Sequence, residues 1–141
     1  CAVAKNDFCI EQYLNGPSAT IAWKTSVDPN EIMRNGMDWT RVDNLTVGKA
    51  RIWDWMTRLG TFDASKPNIR AGIDATWVGT AADLAVRATV YTHCKRTTTV
   101  AEAVLSTGVG TDAQPATLSF EGVITTGEVV RMVWNDDGSL K

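Results

Sequence analysis

The apolar residues of this chain recur mostly three or four positions apart, which is typical of amphipathic helices. The clearest case spans residues 47–59, where apolar side chains fill one arc of a helical wheel and charged side chains fill the other. We expect the apolar arc to be buried, with a tryptophan at each of its two margins. Its members are Ile52, Trp53, Trp55, Met56 and Leu59.

Residues at the segment boundaries indicate where the helices begin. Thr80 is followed three positions later by Asp83, and Thr99 is followed at the same spacing by Glu102. In this capping-box pattern, the side chain of each residue accepts a hydrogen bond from the backbone N–H of the other. Residues 125–128 repeat the pattern before the last apolar run. The sequence therefore predicts helices that start at these three threonines.

Other helix boundaries follow from single residues. We expect Asp7 to cap the first helix and Gly16 to end it, because glycine accepts backbone conformations that close a helix. Asp28 is followed by Pro29, which favours a helix start because proline fits the first helical position. Thr46 is the expected cap of the helix over residues 47–59.

The helix that follows Thr80 carries apolar side chains on two roughly opposite faces. Such a pattern predicts a helix packed between neighbours, so we expect it to be the central helix of the domain. The three threonines at 97–99 are expected to bend or interrupt it. One face consists of Leu84, Ala88 and Tyr91, and the other of Val86 and Val90.

Strand signals are weaker. Residues 19–23 are apolar and partly β-branched, which favours an extended segment, and residues 116–122 alternate between apolar and polar side chains. A strand leaves backbone donors and acceptors unpaired unless it has a partner. The partner expected for residues 116–122 is either residues 20–22 or a neighbouring subunit. Residues 38–43 are predicted to form a polar loop.

Together these patterns predict a mainly α fold. We expect a compact bundle of six or seven short helices with one or two minor β-strands. Residues 1–141 form a single domain on this prediction, with a flexible tail over residues 135–141. The 141 residues match the usual size of one domain.

Composition narrows the possible functions. The 14 basic and 16 acidic residues give a net charge of −2, which argues against a basic nucleic-acid coat. No stretch has the roughly 18 apolar residues of a transmembrane helix. The 3 cysteines are odd in number and form no CxxC pair, so neither a disulfide framework nor a zinc site is expected, and reduced thiols are predicted.

No set of residues in the sequence suggests catalysis. Adjacent helical residues such as His93 and Cys94 point about 100° apart, so they do not form a nucleophile–base pair. Residues 108–113 match G-x-G-x-x-A, but a helical pattern precedes them and a strand pattern follows, the reverse of a dinucleotide site. We therefore expect no enzyme activity, no catalytic, metal or cofactor-binding residues, and no cofactor.

Large aromatic and apolar residues are the better candidates for function. Tryptophan is enriched at the energetic centres of protein interfaces, and the chain has 6 tryptophans. A strand that is completed by another subunit would also lie in an interface. The candidate interface residues are Trp53, Trp55, Trp134, Leu118 and Phe120.

The order of several short phrases resembles small helical proteins of uncharacterised role encoded among the structural genes of tailed bacteriophages. The phrases are YLN at 13–15, IAWKTSV at 21–27, LTVGKARIW at 45–53, DASKPNIRAGI at 63–73, TTVAEA at 98–103 and TGVGT at 107–111. The resemblance spans most of the chain, from about Asp7 to Val133. It supplies no catalytic residues.

This resemblance implies a virion-associated structural protein: a capsid decoration, or a neck or tail component. Its partners would be other phage structural proteins and further copies of itself, with no membrane and no specific nucleic-acid binding. It would reside in the virion, and in the host cytoplasm during assembly. The alternative is a monomeric domain that binds a small ligand or a host factor in a pocket formed by Trp53, Trp77 and Tyr91.

Overall fold

A computed structural model describes residues 6–135 of the chain. The expected tail over residues 135–141 therefore lies outside the described residues except for Asn135. Within the described part, eight helices and two small antiparallel sheets of two strands each make the fold mainly α, at 52% helix. The predicted fold class is confirmed, with more helices and strands than the sequence pattern indicated.

The described residues form two compact units. One comprises Trp23–Arg96, and we call it the central-segment unit. The other comprises the described residues before Trp23 together with those after Arg96, and we call it the terminal-segment unit. Each unit has its own cluster of buried apolar residues.

The central-segment unit consists of five helices. They are α2 (Pro29–Arg34), α3 (Trp39–Asp43), α4 (Val47–Arg58), α5 (Pro67–Thr76) and α6 (Ala81–His93). The largest side chains that are fully buried in this unit are Trp77, Ile32, Ile73, Val27, Val90, Thr76 and Cys94. The predicted caps of Asp28 and Thr80 are confirmed, and Thr80 and Asp83 complete a capping box.

The terminal-segment unit packs three helices on one another. They are α1 (Asp7–Asn15), α7 (Val100–Val104) and α8 (Thr126–Val133), and their shared core holds Ala101, Ile124 and Val129. Asn15 binds the backbone of Ile124 twice: its Nδ2 donates to the carbonyl oxygen at 2.8 Å, and its Oδ1 accepts from the N–H at 2.8 Å. The capping boxes that begin at Thr99 and Thr125 are both present, as predicted.

The strands are short. They are β1 (Pro17–Trp23), β2 (Lys95–Thr99), β3 (Ser106–Thr107) and β4 (Thr117–Leu118), paired as β1–β2 and β3–β4. The first sheet is fastened by a 2.7 Å hydrogen bond between the hydroxyls of Ser18 and Thr98. In the second sheet Ser106 lies opposite Leu118. The expected extended segment at residues 19–23 is therefore confirmed.

The strand predicted over residues 116–122 is shorter than expected, and its partners lie within the chain. Ala116 forms a bridge with Ala22, which is the internal partner that the sequence suggested, and its N–H donates to the carbonyl of Ile21 at 2.8 Å. Thr117 and Leu118 pair instead with β3, which was predicted as loop. A neighbouring subunit is therefore not needed to complete this strand.

Three local predictions were wrong. Asn6 caps α1 in place of Asp7, because its Oδ1 accepts from the N–H of Cys9 at 2.9 Å. Residues 38–43 contain helix α3, since Asp38 caps it by accepting from the N–H of Thr40 at 3.0 Å. Residues 97–99 do not bend α6, which ends at His93; they belong to β2, as β-branched residues favour.

Two further expectations also failed. Helix α6 buries Val86 and Val90, but Leu84 and Ala88 on the other stripe are exposed, so α6 is not enclosed on both sides in the described structure. Cys9 is disulfide-bonded, whereas reduced thiols were predicted. An odd number of cysteines excludes only complete pairing, and it leaves room for one bond. Cys94 is free and buried.

Candidate functional site

Helix α4 is held in place through its tryptophan at position 53. Trp53 is 4% exposed and meets Trp77 edge to face, with ring centroids 5.2 Å apart and planes at 78°. Near the start of the helix, Lys49 Nζ donates to the carbonyl oxygen of Val78 at 2.8 Å. These contacts fix which side of α4 faces the core of the central-segment unit.

The side of α4 that the sequence predicted to be buried is largely exposed. Ile52 is 39% exposed, Trp55 is 65% exposed and Leu59 is 77% exposed. The wheel grouped these residues correctly but placed the core at the wrong part of the arc. Spacings of three and four positions put the three side chains on one face of the helix. We call Ile52, Trp55 and Leu59 the α4 face.

A groove of about 400 Å³ adjoins the α4 face. Its floor is close to Gly72 of α5, where an added Cβ would lie 2.9 Å from Sδ of Met56. The absence of a side chain at Gly72 therefore lets α4 and α5 approach each other beside the groove. The groove is lined by Arg51, Ile52, Trp55, Met56, Asn68, Ile69 and Gly72.

The groove is mainly apolar and carries positive charge at its border. Arg51 is its one formally charged lining residue, and none of its lining residues is acidic. Within the described residues the Arg51 guanidinium takes part in no hydrogen bond or ion pair. The nearest carboxylate along the helix, Asp54, already forms an exposed ion pair with Arg58. An incoming carboxylate would therefore find Arg51 unpaired.

The other predicted interface residues are placed differently. Trp134 is 8% exposed, and its Nε1 donates to the carboxylate of Asp7. Phe120 packs against the core of the terminal-segment unit, and Leu118 is half-buried in β4. With Trp53 in the core, Trp55 is the predicted interface residue that is largely exposed.

The pocket considered for a small ligand is not formed as expected. Trp53 and Trp77 are buried and in contact with each other, and their two indole N–H groups are buried without hydrogen-bond partners in the described structure. Tyr91 lies elsewhere in the unit, with its ring centroid 5.6 Å from that of Trp23.

A polar and aromatic cluster around Tyr91 was not found by sequence reasoning. Tyr91 Oη donates to Asp74 Oδ1 at 3.0 Å, and Arg70 lies 4.8 Å over the ring of Trp23. Arg70 Nη1 also donates to the carbonyls of Ala64 and Ser65 at 2.8 and 2.7 Å. Burial, and then the bond to Asp74, raise the pKa of Tyr91 above its ordinary value, so the phenol stays protonated and acts as a donor. The cluster fastens a loop to α5.

Groups that could act as a nucleophile or bind a phosphate have structural roles instead. Burial raises the pKa of the Cys94 thiol to about 12, so it is a poor nucleophile near neutral pH. In the 108–113 loop, the N–H groups of Gly110 and Thr111 both donate to the carbonyl of Gln114, at 3.0 and 3.1 Å. Those donors, which a phosphate site would use, are already occupied.

The described residues offer neither a metal-binding cluster nor a membrane-spanning helix. No three or more His, Cys, Asp or Glu side chains lie grouped so as to hold a metal ion. Across residues 6–135, no helix has the length and apolar character needed to cross a membrane.

Comparisons with known proteins found no matching family model, no matching curated protein and no matching solved structure. The resemblance to phage proteins therefore stays a prediction from the residues. The α4 face and its groove are the functional candidate that the geometry of this chain provides.

Proposed function

We propose that this chain is a bacteriophage virion-associated structural protein that acts through protein–protein contacts, and that the α4 face is its docking surface. It would serve as a capsid decoration or as a neck or tail component. The virion setting rests on the resemblance of short phrases. The observation that supports a docking role is the exposure of Trp55 between Ile52 and Leu59 on one helix face.

Leaving the apolar α4 face in water costs free energy that a docked partner would recover. Burying apolar surface contributes roughly 25 cal/mol per Å², and a tryptophan flanked by aliphatic side chains is a frequent anchor of interfaces. Trp53 fixes the orientation of the helix, so the face is presented on a rigid element. A rigid, apolar face with a polar border has the composition of an interface centre.

Self-association was also expected, on the basis of an unpaired strand and of exposed tryptophan surface. The first of these two reasons no longer holds. The strand at residues 116–118 finds its partners inside the chain, so it requires no second subunit. Exposed tryptophan area, the other support, remains at Trp55. Contacts with a different protein therefore become the leading form of the proposal.

The groove favours a second candidate function, the binding of a small apolar ligand. Its volume of about 400 Å³ falls within the usual range for ligand pockets. A ligand there would lie against Trp55 and Met56 and over Gly72. This site replaces the one expected from Trp53, Trp77 and Tyr91.

The proposal is tested by incorporation into particles of the phage that encodes the chain. Tagged wild-type chain is supplied during infection, and purified particles are probed for the tag. We expect the wild-type chain to sediment with particles and the Trp55→Ala chain to be depleted. Trp39→Ala is the matched control, because Trp39 is 60% exposed but lies on α3. Absence of the wild-type chain from particles would contradict the proposal.

A further inference from the structure

We infer that the α4 face and its groove receive an acidic amphipathic helix from another protein rather than a second copy of this chain. The inference deepens the proposed function and rests on it, since it names the chemistry of the segment that docks. It is carried by the shape of the face, by the charges beside it and by the arrangement that a second copy would impose.

The shape of the face fits a helix. Ile52 and Leu59 are seven positions apart, which corresponds to about 10 Å along an α-helix at 1.5 Å per residue. Two turns of a partner helix cover that distance, and a helix presents apolar side chains at the same three- and four-residue spacing. The adjoining groove, which is lined by Trp55, Met56 and Ile69 among others, has room for an apolar side chain from such a partner.

The charge beside the face selects the partner. Arg51 lines the groove without a carboxylate, and the nearby Asp54 is already paired with Arg58. A neutral apolar partner would cover part of the Arg51 guanidinium and take water from it without compensation. A partner glutamate or aspartate would instead form a charge-assisted hydrogen bond with it. The complementary segment therefore combines apolar residues with a flanking carboxylate.

The same charges disfavour a second copy. Arg51 and Arg58 are seven positions apart, so they lie along one edge of the α4 face. Antiparallel pairing of two α4 helices would place this edge against its own copy. The edge holds two arginines and one aspartate, so two surfaces of like net charge would meet. An acidic partner removes that repulsion.

The probe is a pair of synthetic, fluorescently labelled helical peptides. Both carry leucines at three- and four-residue spacing, and one has glutamates at the flanking positions where the other has lysines. We expect the glutamate peptide to bind the full chain roughly tenfold more tightly than the lysine peptide at low salt. Arg51→Glu should reverse that order, and within residues 6–135 the Arg51 guanidinium has no hydrogen bond or ion pair to lose.

Matched variants connect binding to the α4 face. Trp55→Ala should lower the affinity of the chain for the glutamate peptide by about tenfold or more, as expected for an interface anchor. Leu59→Ala should also weaken binding of this peptide. Val47→Ala should not, although both side chains are 77% exposed, because Val47 begins α4 and Leu59 is its C-cap at the other end. Circular dichroism of each variant verifies that the fold is retained.

Several results would overturn the inference. Equal affinity for the two peptides, binding of neither peptide, or binding that survives Trp55→Ala would each do so. A stable dimer that Trp55→Ala dissociates would show that a second copy is the occupant. The proposed function fails separately, when the wild-type chain is absent from particles. Incorporation that depends on Trp55, together with failure of the glutamate peptide, would overturn only the chemistry of the partner.

Discussion

Trp53 and Trp55 lie two positions apart on α4 and have opposite environments. Trp53 is 4% exposed and packs edge-on against Trp77, whereas Trp55 is 65% exposed beside the groove. Side chains two positions apart on a helix point about 200° apart, so one residue can anchor the helix while the other faces solvent. This relationship makes the two tryptophans separable by mutation.

Trp53→Ala should destabilise the chain strongly, and Trp55→Ala should not. Removing a buried tryptophan leaves a cavity and typically costs about 3–5 kcal/mol. Substitution of an exposed residue usually changes the free energy of unfolding by less than about 0.5 kcal/mol. Urea denaturation of both variants measures the difference. Equal midpoints would show that α4 is not oriented by Trp53.

The capping box at the start of α6 should control the pKa of Asp83. The Thr80 side chain and its backbone N–H bond to the carboxylate and hold the pKa of Asp83 below 3.8, its ordinary value. A carboxyl group whose pKa is lowered by folding stabilises the fold above its unfolded-state pKa and loses that contribution as the pH falls through its folded-state pKa. Thr80→Ala should therefore raise the pKa of Asp83, as measured by NMR titration of the carboxylate.

The equivalent pair in α8 provides the control for that titration. The pKa of Glu128 is also lowered, chiefly by the backbone N–H of Thr125. Thr80→Ala should leave the pKa of Glu128 unchanged, and Thr125→Ala should raise it. An unchanged pKa of Asp83 in the Thr80→Ala variant would show that the capping box does not form in solution.

The two described cysteines should react under different conditions. Cys94 is buried and its pKa is raised to about 12, so iodoacetamide should not modify it in the native chain at pH 8. Unfolding without a reductant should expose Cys94 alone, because Cys9 is disulfide-bonded. Unfolding with a reductant should allow Cys9 to react as well. Peptide mapping by mass spectrometry reads each step, and modification of Cys9 before reduction would contradict the disulfide.

Two glycines of the terminal-segment unit should respond oppositely to alanine. Gly110 has a φ of +77°, and an added Cβ would lie 2.6 Å from Cγ2 of Thr20, so Gly110→Ala should be destabilising by roughly 1–3 kcal/mol. Gly127 lies in α8 with open space around it, so Gly127→Ala should stabilise by about 0.5–1 kcal/mol through helix propensity. Thermal unfolding measures the unfolding temperature of both variants. Shifts of the same sign relative to the wild-type chain would refute this account.

Local signals were sufficient to predict much of the fold. The caps at Thr80, Thr99 and Thr125 depend on residues three positions away, so the sequence pattern contains the whole interaction. Helix α3 was missed because none of its residues is fully buried, and a five-residue helix has no measurable apolar period. The cap at Asp38 was the one available signal.

The candidate site could be predicted only in part. The pattern correctly grouped Ile52, Trp55 and Leu59 on one face, since that grouping follows from helix geometry alone. Which face is buried depends on the contact of Trp53 with Trp77, which lies 24 positions further along the chain. The close approach of α5 to α4 beside the groove depends on Gly72, whose lack of a side chain matters only once the two helices are packed together. Neither of these contacts can be inferred from the residues of α4 alone.

Oxidative footprinting of the tryptophans tests the central claim, that the α4 face is a docking surface. Oxidation of Trp55 and Trp39 would be compared in the isolated chain and in purified particles of the phage proposed to encode it. In the isolated chain both residues should react, since they are 65% and 60% exposed. In particles, Trp55 should be protected while Trp39 reacts as before. Equal reactivity of Trp55 in both samples would contradict docking through α4.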